Sequence, residues 1–250
     1  MTEEIKKGMK VEILTREKKN ITGIVEEIGT KESEKGKMVL LKTGEVGRVQ
    51  KIIDDKKKAE SEAEKLIKKG ENYQREFKSE ALWSLNYTNQ QIAESKSNDL
   101  HTHKHKASKV IIARSIVALL NSQGGNLIIG VKEKKNEKGE FEIVGIEKDL
   151  EKLKAQGKDN SQDGYKRMII DDIIRAYFPF KIYNNLNDYI KFTFEEINNK
   201  LVCNIKVQPS RSRIFLNLEG RKIFMIRTET ETRQIQDEEL VDYCMRRFLS

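Results

Sequence analysis

All three histidines of the chain lie in one short segment, His101-Thr102-His103-Lys104-His105-Lys106. In an extended segment, alternate side chains line one side, where imidazole nitrogens bind zinc or nickel. The flanking residues are polar and typical of turns, which favours a mobile basic insertion over a metal site. Such an insertion would bring lysines to a phosphate backbone; the candidates are Lys96, Lys104, Lys106 and Lys109.

A second group suited to phosphate is a set of arginines near the C-terminus. These are Arg211, Arg213, Arg221, Arg227 and Arg233. The guanidinium fork matches the geometry of phosphate, and it matches carboxylates equally well. Phosphate binding and ion pairing with Glu219, Glu229 and Glu231 are therefore equal alternatives.

Glu76 and Lys78 belong to a predicted extended segment, residues 73–78. Side chains alternate along a strand, so these two share a face while Phe77 points into a core. Their spacing alone predicts an ordinary ion pair between Glu76 and Lys78. Glu71 is at an odd separation from Glu76, so it must lie in the turn after Gly70 or beyond a bulge.

Composition limits the class of protein. The chain has 250 residues, a formal net charge of +8 and 35% charged residues. A basic excess favours nucleic acid or an anionic membrane as the partner. No stretch approaches the roughly 18–20 apolar residues of a membrane span, and the acidic start does not fit a secretory signal. Cys203 and Cys244 are predicted to be buried thiols of a cytoplasmic protein.

Residues 8–53 contain short apolar runs separated by glycine turns, which predicts a small SH3-like or OB-like β-barrel. The patterns Gly8-x-x-Val11-x-Ile13 and Gly44-Glu45-Val46-Gly47-Arg48-Val49-Gln50 resemble the small YwbE-like family. That resemblance implies a barrel domain over residues 1–54 and no particular activity.

Residues 55–69 are rich in Lys, Glu, Ala and Asp, which predicts an exposed helical linker, with disorder as the alternative. Residues 70–250 alternate between helical and extended patterns and predict an α+β domain with a mixed or antiparallel sheet. Gly124-Gly125 are predicted to end a helix at about 107–122 and turn the chain into a strand. Trp83 and Tyr87 either anchor a loop or stack on unpaired bases.

Successive blocks of this larger domain resemble the Schlafen-type AlbA domain. They include Glu71-x4-Glu76-Phe77-Lys78, then Gly124-Gly125-Asn126-Leu127-Ile128-Ile129-Gly130-Val131, then Val207-x-Pro209-Ser210 and a strand that ends at Arg227. Because the blocks keep the family's order, the resemblance is specific. It implies nucleic-acid binding and, as in some members, metal-dependent endoribonuclease activity on transfer or ribosomal RNA through three carboxylates.

The family's functional residues can be transferred position by position. The first two carboxylates fall on Glu71 and Glu76, and Lys78 would stabilise phosphate charge. Where the third acid follows the strand, this chain has Lys132 and then Glu133, so Glu133 is the remaining candidate. Strand parity places Glu133 on the side of Leu127 unless the strand has ended or twisted. The resemblance implies Mg²⁺ or Mn²⁺ as the cofactor held by these three glutamates.

The leading hypothesis is a cytoplasmic, metal-dependent endoribonuclease acting on structured RNA, with DNA as the other nucleic-acid partner and no membrane. Lys104, Lys106, Lys109, Arg211, Arg213 and Arg227 are its predicted nucleic-acid contacts, and the barrel would add a second RNA contact. Two alternatives are a non-catalytic DNA- or RNA-binding regulator and a protein-interaction module. By analogy with two-lobed relatives, a single AlbA-type lobe implies a homodimer.

Overall fold

The computed structural model describes residues 5–29, 36–53, 60–134 and 139–249. The chain divides into two compact units, Met1–Glu60 and Ser61–Ser250. Within the described ranges, no helix is both long enough and apolar enough to cross a membrane.

The first unit is a closed antiparallel barrel. Its strands are β1 (Lys10–Thr15), β2 (Asn20–Ile28), β3 (Met38–Leu41) and β4 (Val46–Ile53), and β1 pairs with both β2 and β4. Alternate residues point inward and form the core, which contains Val11, Ile13, Val25, Val39 and Leu41. The predicted barrel is confirmed.

The second unit is built on a mixed four-stranded sheet. Its strands are β5 (Arg75–Lys78), β6 (Gly125–Ile129), β9 (Ile190–Ile197) and β10 (Lys200–Val207), in the order β5-β6-β10-β9. The β5–β6 pair is parallel and the other pairs are antiparallel. Two smaller antiparallel sheets are the hairpin of β7 (Val131–Glu133) and β8 (Phe141–Ile143), and a sheet of β11 (Leu216–Leu218), β12 (Arg221–Arg227) and β13 (Thr232–Ile235). The predicted α+β class is confirmed.

The helices of the second unit vary from single turns to a long central helix. They are α1 (Glu62–Lys68), α2 (Asn89–Glu94), α3 (Asn98–His103), α4 (Ala107–Asn121), α5 (Glu147–Ala155), α6 (Gln162–Ile169), α7 (Arg175–Tyr177), α8 (Phe180–Asn184), α9 (Leu186–Tyr189) and α10 (Asp237–Phe248). A π-helical turn, Ile170–Ile174, joins α6 to α7. Short 3₁₀ helices are formed by Trp83–Asn86 and Lys104–Lys106.

Helix α4 lies at the centre of the second unit. It contacts β6 and β10 of the large sheet as well as β11, β12 and β13. Ile112, Ile116, Leu119 and Leu120 are almost completely buried. Because α4 is enclosed on both sides, its sequence is apolar around most of its circumference, as expected for a core helix.

The predicted helix is confirmed over Glu62–Lys68, but the prediction that it is an exposed linker is wrong. Helix α1 buries Ala63 and Ile67 against a core that also contains Phe77, Ile128 and Val202. The hydroxyl of Ser61 caps the helix by accepting from Glu64 N at 3.1 Å. Two apolar residues on one face are enough to dock so short a helix, although charged residues dominate its sequence. Residues 54–59 of the predicted linker lie outside the described ranges.

The segment that contains the predicted mobile insertion, residues 84–106, is mostly helical. Its polar residues are helix caps: Thr88 forms a capping box with Gln91, and Ser97 Oγ accepts from Leu100 N at 3.3 Å. The rings of Trp83 and Tyr87 meet at 5.6 Å and pack on a small core of Ile92, Leu100 and Ala107. These two aromatics therefore anchor the segment.

Candidate functional site

The carboxylate of Glu76 is buried on the large sheet, with the residue only 4% exposed. As predicted, Glu76 and Lys78 share one face of β5, whereas Phe77 packs into a core on the other side. Glu76 Oε1 accepts from Lys78 Nζ, and Glu76 Oε2 lies 2.5 Å from Arg227 Nη1. The Arg227 contact lacks hydrogen-bond alignment and acts as an ion pair. Two cations therefore compensate one buried negative charge.

Arg227, at the end of β12, joins that strand to the turn before β5. Its Nε donates to Asn72 O at 3.1 Å, and its Nη2 donates to Arg75 O at 3.3 Å. Its side chain is 2% exposed. The sequence left phosphate and the carboxylates of Glu219, Glu229 and Glu231 as alternative partners of Arg227. The structure pairs Arg227 with Glu76 instead.

Glu71 lies in the turn after Gly70, which was one of the two predicted arrangements. Gly70 has φ +70°, and Asn72 and Arg75 close the next turn through two backbone hydrogen bonds of 3.0 and 3.2 Å. Glu71 Oε1 accepts from Phe77 N at 2.6 Å. Burial of the carboxyl group raises the pKa of Glu71, the Phe77 N–H opposes this, and the charge of Glu76 adds to it. Glu71 and Glu76 thus interact with each other and with Lys78 and Arg227.

These side chains also cover the outer edge of β5, which is a border strand of the sheet. The amides of Arg75 and Phe77 point away from β6; the first donates to Asn72 O and the second to Glu71. The Arg75 carbonyl accepts from Arg227, and the Phe77 carbonyl accepts from Lys78 Nζ at 3.2 Å. The four outward backbone groups are therefore satisfied within the chain. The cluster of Glu71, Glu76, Lys78 and Arg227 thus has a clear structural role.

The third predicted carboxylate does not join this cluster. Glu133 ends β7, where it is exposed, faces Phe141 in the hairpin register, and accepts from Gly139 N at 3.3 Å. Across the described ranges, no three Asp, Glu, His or Cys side chains form a group that could hold a metal ion. Glu71 and Glu76 are already engaged, so the arrangement does not fit the implied Mg²⁺ or Mn²⁺ ion.

The histidines do not converge on a metal site either. His101 Nε2 lies 2.6 Å from Ser95 O, and His103 Nε2 lies 3.2 Å from Arg114 Nη2. His105 is exposed in a 3₁₀ turn. The helical path of this segment replaces the extended path on which the metal hypothesis depended.

The predicted phosphate contacts fall into two groups. Lys104, Lys106 and Arg211 are exposed, as is Arg213, which lies beside the Cys244 thiol. Lys109 forms an ion pair of 2.7 Å with Asp172, and Arg227 is buried. The exposed residues remain candidates for binding nucleic acid, whereas Lys109 and Arg227 have internal roles.

Sequence reasoning overlooked a surface cleft beside the cluster. Its volume is about 320 Å³. Its lining includes Tyr73, Gln123, Arg227, Tyr243, Arg246 and Arg247. The only sequence signal was the Arg246-Arg247 pair in the last turn of α10, where basic residues also suit the helix dipole.

Comparison with known proteins agrees with this division of the chain. The family described as an uncharacterized conserved protein (DUF2196) matches residues 1–52, the barrel. No curated protein matches the chain. Among solved structures, the DIP2311 protein from Corynebacterium diphtheriae is 15% identical with a TM-score of 0.40, and the match covers 70% of this chain but only 27% of that one. The family described as Schlafen, AlbA_2 matches residues 71–236, which is most of the chain and contains Glu71, Glu76, Lys78 and Arg227, and the protein belongs to this family.

Proposed function

We propose that this protein binds nucleic acid, with RNA as its main partner, and does not cleave it through the Glu71–Glu76 pair. Membership of the Schlafen AlbA_2 family points to nucleic-acid binding. The formal net charge of +8 agrees, because basic proteins attract the phosphate backbone.

One observation carries the non-catalytic assignment: Glu76 is buried between Lys78 and Arg227. A carboxylate that holds a divalent cation needs an open direction toward the ion, together with further oxygen ligands. Here the oxygens of Glu76 face two cations, and Glu71 accepts a hydrogen bond from a backbone amide. Glu133 lies apart from them, in the β7–β8 hairpin. We infer that the cluster holds β5 and β12 together.

A transfer RNA assay tests this proposal. The full chain is titrated with labelled transfer RNA between 50 and 200 mM salt and then incubated with the same RNA and Mn²⁺ or Mg²⁺. We expect salt-dependent binding and intact RNA. Cleavage that disappears in Glu76→Gln would overturn the non-catalytic assignment, whereas failure to bind any nucleic acid at 0.1 M salt would favour a protein-interaction module.

The metal-dependent endoribonuclease is the second candidate, and one observation favours it. Glu71 and Glu76 come close enough for their charges to interact, beside Lys78 and Arg227. A nuclease would require Glu76 to leave its two cations and a further acid to approach. Glu76→Gln and Lys78→Gln should then both abolish cleavage, while Glu133→Gln shows whether Glu133 takes part.

Three finer predictions from the sequence remain proposals. Competition between RNA and DNA of the same sequence tests the preference for RNA. Light scattering on the purified chain tests the homodimer. Microscopy of a tagged protein tests the cytoplasmic location.

A further inference from the structure

Helix α1 covers only part of one face of the large sheet. Its Ala63 and Ile67 pack on Ile128 and Val202, and Ala63 N donates to Glu195 Oε2 of β9 at 3.0 Å. Where α1 begins, this face carries polar side chains around a cavity of about 280 Å³. The residues that line this cavity include Glu62 of α1, Lys191 and Thr193 of β9, and Asn204 and Lys206 of β10.

Asn204 is the most buried polar residue of this cavity. It is only 3% exposed, and within the described ranges its Oδ1 has no hydrogen-bond partner. A buried polar atom without a partner is costly, so native proteins satisfy almost all of them. A side-chain amide offers both donors and an acceptor, so a hydroxyl group, which can donate and accept, suits it as a partner.

Two lysines lie beside Asn204 on the same face of the sheet. Lys191 and Lys206 are exposed and are direct cross-strand partners in the β9–β10 pair, next to the pair of Thr193 and Asn204. Like charges directly opposite each other on two strands are destabilising. In the described part of the chain, neither lysine forms an ion pair, not even with Glu62 of the same cavity. An anion between the two ammonium groups would relieve their repulsion.

The strand on the other side of β10 contributes a second amide to this face. Asn126 of β6 is the other cross-strand partner of Lys206. Its Oδ1 is buried and, among the described residues, has no hydrogen-bond partner. Lys206 therefore has a lysine on one side and an amide with an unused acceptor on the other.

A purely structural role accounts for only one of these residues. Lys191 lies on β9, a border strand, where a lysine discourages pairing with another chain. Because β10 is an inner strand, that reason does not extend to Lys206. It also does not explain the buried amide of Asn204. A ligand that carries a hydroxyl group next to an anionic group would satisfy both the lysines and the amide.

We propose that this cavity binds one ribose phosphate of RNA, with the phosphate between Lys191 and Lys206 and the 2′-hydroxyl on the Asn204 amide. The 2′-hydroxyl both donates and accepts, and it is the group by which a protein distinguishes RNA from DNA. The inference rests on the proposed nucleic-acid binding and deepens it, because it assigns residues to the preference for RNA. A free ribonucleotide presents the same chemistry, so the test includes both.

Two variants separate the amide from the charge. Asn204→Leu removes the amide and keeps a side chain of similar size; because the amide oxygen has no partner in the protein, we expect the free energy of unfolding not to fall. Lys206→Gln removes one charge from the cavity. The matched control is Lys200→Gln, an exposed lysine on the same strand and face, about 20 Å from Lys206 and outside the cavity.

The probes are fluorescent single strands of one sequence, made as RNA, DNA and 2′-O-methyl RNA, and binding is followed by anisotropy against salt. The wild type should bind RNA about fivefold more tightly than DNA, the factor expected for one hydrogen bond. Asn204→Leu should bind RNA and DNA equally. Lys206→Gln should flatten the plot of log K against log salt by about 0.7, the value for one lost phosphate contact. Lys200→Gln should change neither the slope nor the preference for RNA.

The methylated strand tests the same contact on the unaltered protein. Its 2′ oxygen carries a methyl group in place of the proton, so it cannot donate to the Asn204 amide. The wild type should therefore bind 2′-O-methyl RNA no more tightly than DNA. This measurement does not depend on the folding of any variant.

The outcomes separate this inference from the proposed function. If the wild type binds RNA and 2′-O-methyl RNA equally well, or if Asn204→Leu keeps the preference for RNA, the cavity assignment is overturned and nucleic-acid binding stands. If the wild type binds no nucleic acid, the proposed function fails, and a titration with adenosine 3′-monophosphate decides the cavity. Binding that is lost in Lys206→Gln supports a site for a free ribonucleotide, and no binding overturns it.

Discussion

Glu76, Lys78 and Arg227 form a buried charge cluster in which each member depends on the others. Breaking a buried ion pair costs about 3–5 kcal/mol, and without Arg227 the Glu76 carboxylate keeps only Lys78. We expect Arg227→Met to lower the free energy of unfolding by that amount in urea denaturation. The double variant Glu76→Leu with Arg227→Met should recover part of the loss.

The matched control is Arg233→Met. Arg233 forms an ion pair with Glu239 on the surface, so its loss should cost much less than the loss of Arg227. Equal costs for Arg227→Met and Arg233→Met would contradict the importance of burial.

Glu71 should make stability depend on pH. Its pKa is raised in the folded state above the ordinary value of 4.5, so the folded protein binds this proton more tightly than the unfolded chain does. Ionised Glu71 therefore reduces stability above its folded pKa, and the reduction disappears as pH falls toward 4.5. Glu71→Gln keeps an acceptor for Phe77 N–H, so we expect it to be at least as stable as the wild type at pH 7.

Denaturation of both proteins at pH 5 and pH 7 checks this expectation. The advantage of Glu71→Gln over the wild type should be smaller at pH 5. An advantage that grows as the pH falls would show that the pKa of Glu71 shifts in the opposite direction.

At the scale of elements, the corner between α4 and β6 must leave room for the turn before β5, which packs directly against it. Gly125 has φ +142°, and a Cβ atom there would lie 2.1 Å from Gln74 O. Gly125→Ala should therefore lower the free energy of unfolding by about 2–3 kcal/mol or more, through overpacking and backbone strain.

Gly220→Ala separates these two causes. Gly220 also has a positive φ, +81°, but a Cβ atom there meets nothing within 4 Å. Its cost should be limited to backbone strain, about 1–2 kcal/mol. Both variants are compared with the wild type by thermal denaturation.

The sequence predicted the elements whose apolar periodicity is strong. The central helix α4 and the closed barrel are of this kind. Helices α2 and α3 were missed because their short sequences are dominated by capping and charged residues. Helix α5 was missed because its inward face carries Asp149, which accepts from Ala81 N, Leu82 N and the Tyr165 hydroxyl. A buried carboxylate has no signature in a hydropathy pattern.

The candidate site was predicted where it depends on local geometry. Strand alternation was sufficient to place Glu76 and Lys78 on one face, and the odd separation left Glu71 either in a turn or beyond a bulge. The Glu76–Arg227 ion pair joins residues far apart in sequence, so no spacing rule could find it. The position of Glu133 depends on the β7–β8 hairpin, whose register is a property of the folded chain.

On the scale of the whole molecule, the two units have separate hydrophobic cores. The barrel core is built from residues of the first unit alone, whereas the cores around α4 and α1 belong to the second. We expect residues 61–250 to fold without the barrel and to keep RNA binding. Circular dichroism and anisotropy on that fragment check both points.

The same fragment measures what the barrel adds. A second RNA contact in the barrel would make the full chain bind more tightly and with a steeper salt dependence than the fragment. Equal affinity and equal salt dependence would remove the barrel from the interface. A fragment that does not fold would contradict the independence of the two units.

The covered border of β5 has a consequence for self-assembly. Strand exchange and fibril growth both require a row of unpaired amides that can receive another chain. At β5 those amides already bind Asn72 and Glu71. A second copy cannot extend the large sheet from this side, so any dimer that continues the sheet must form through β9, the opposite border.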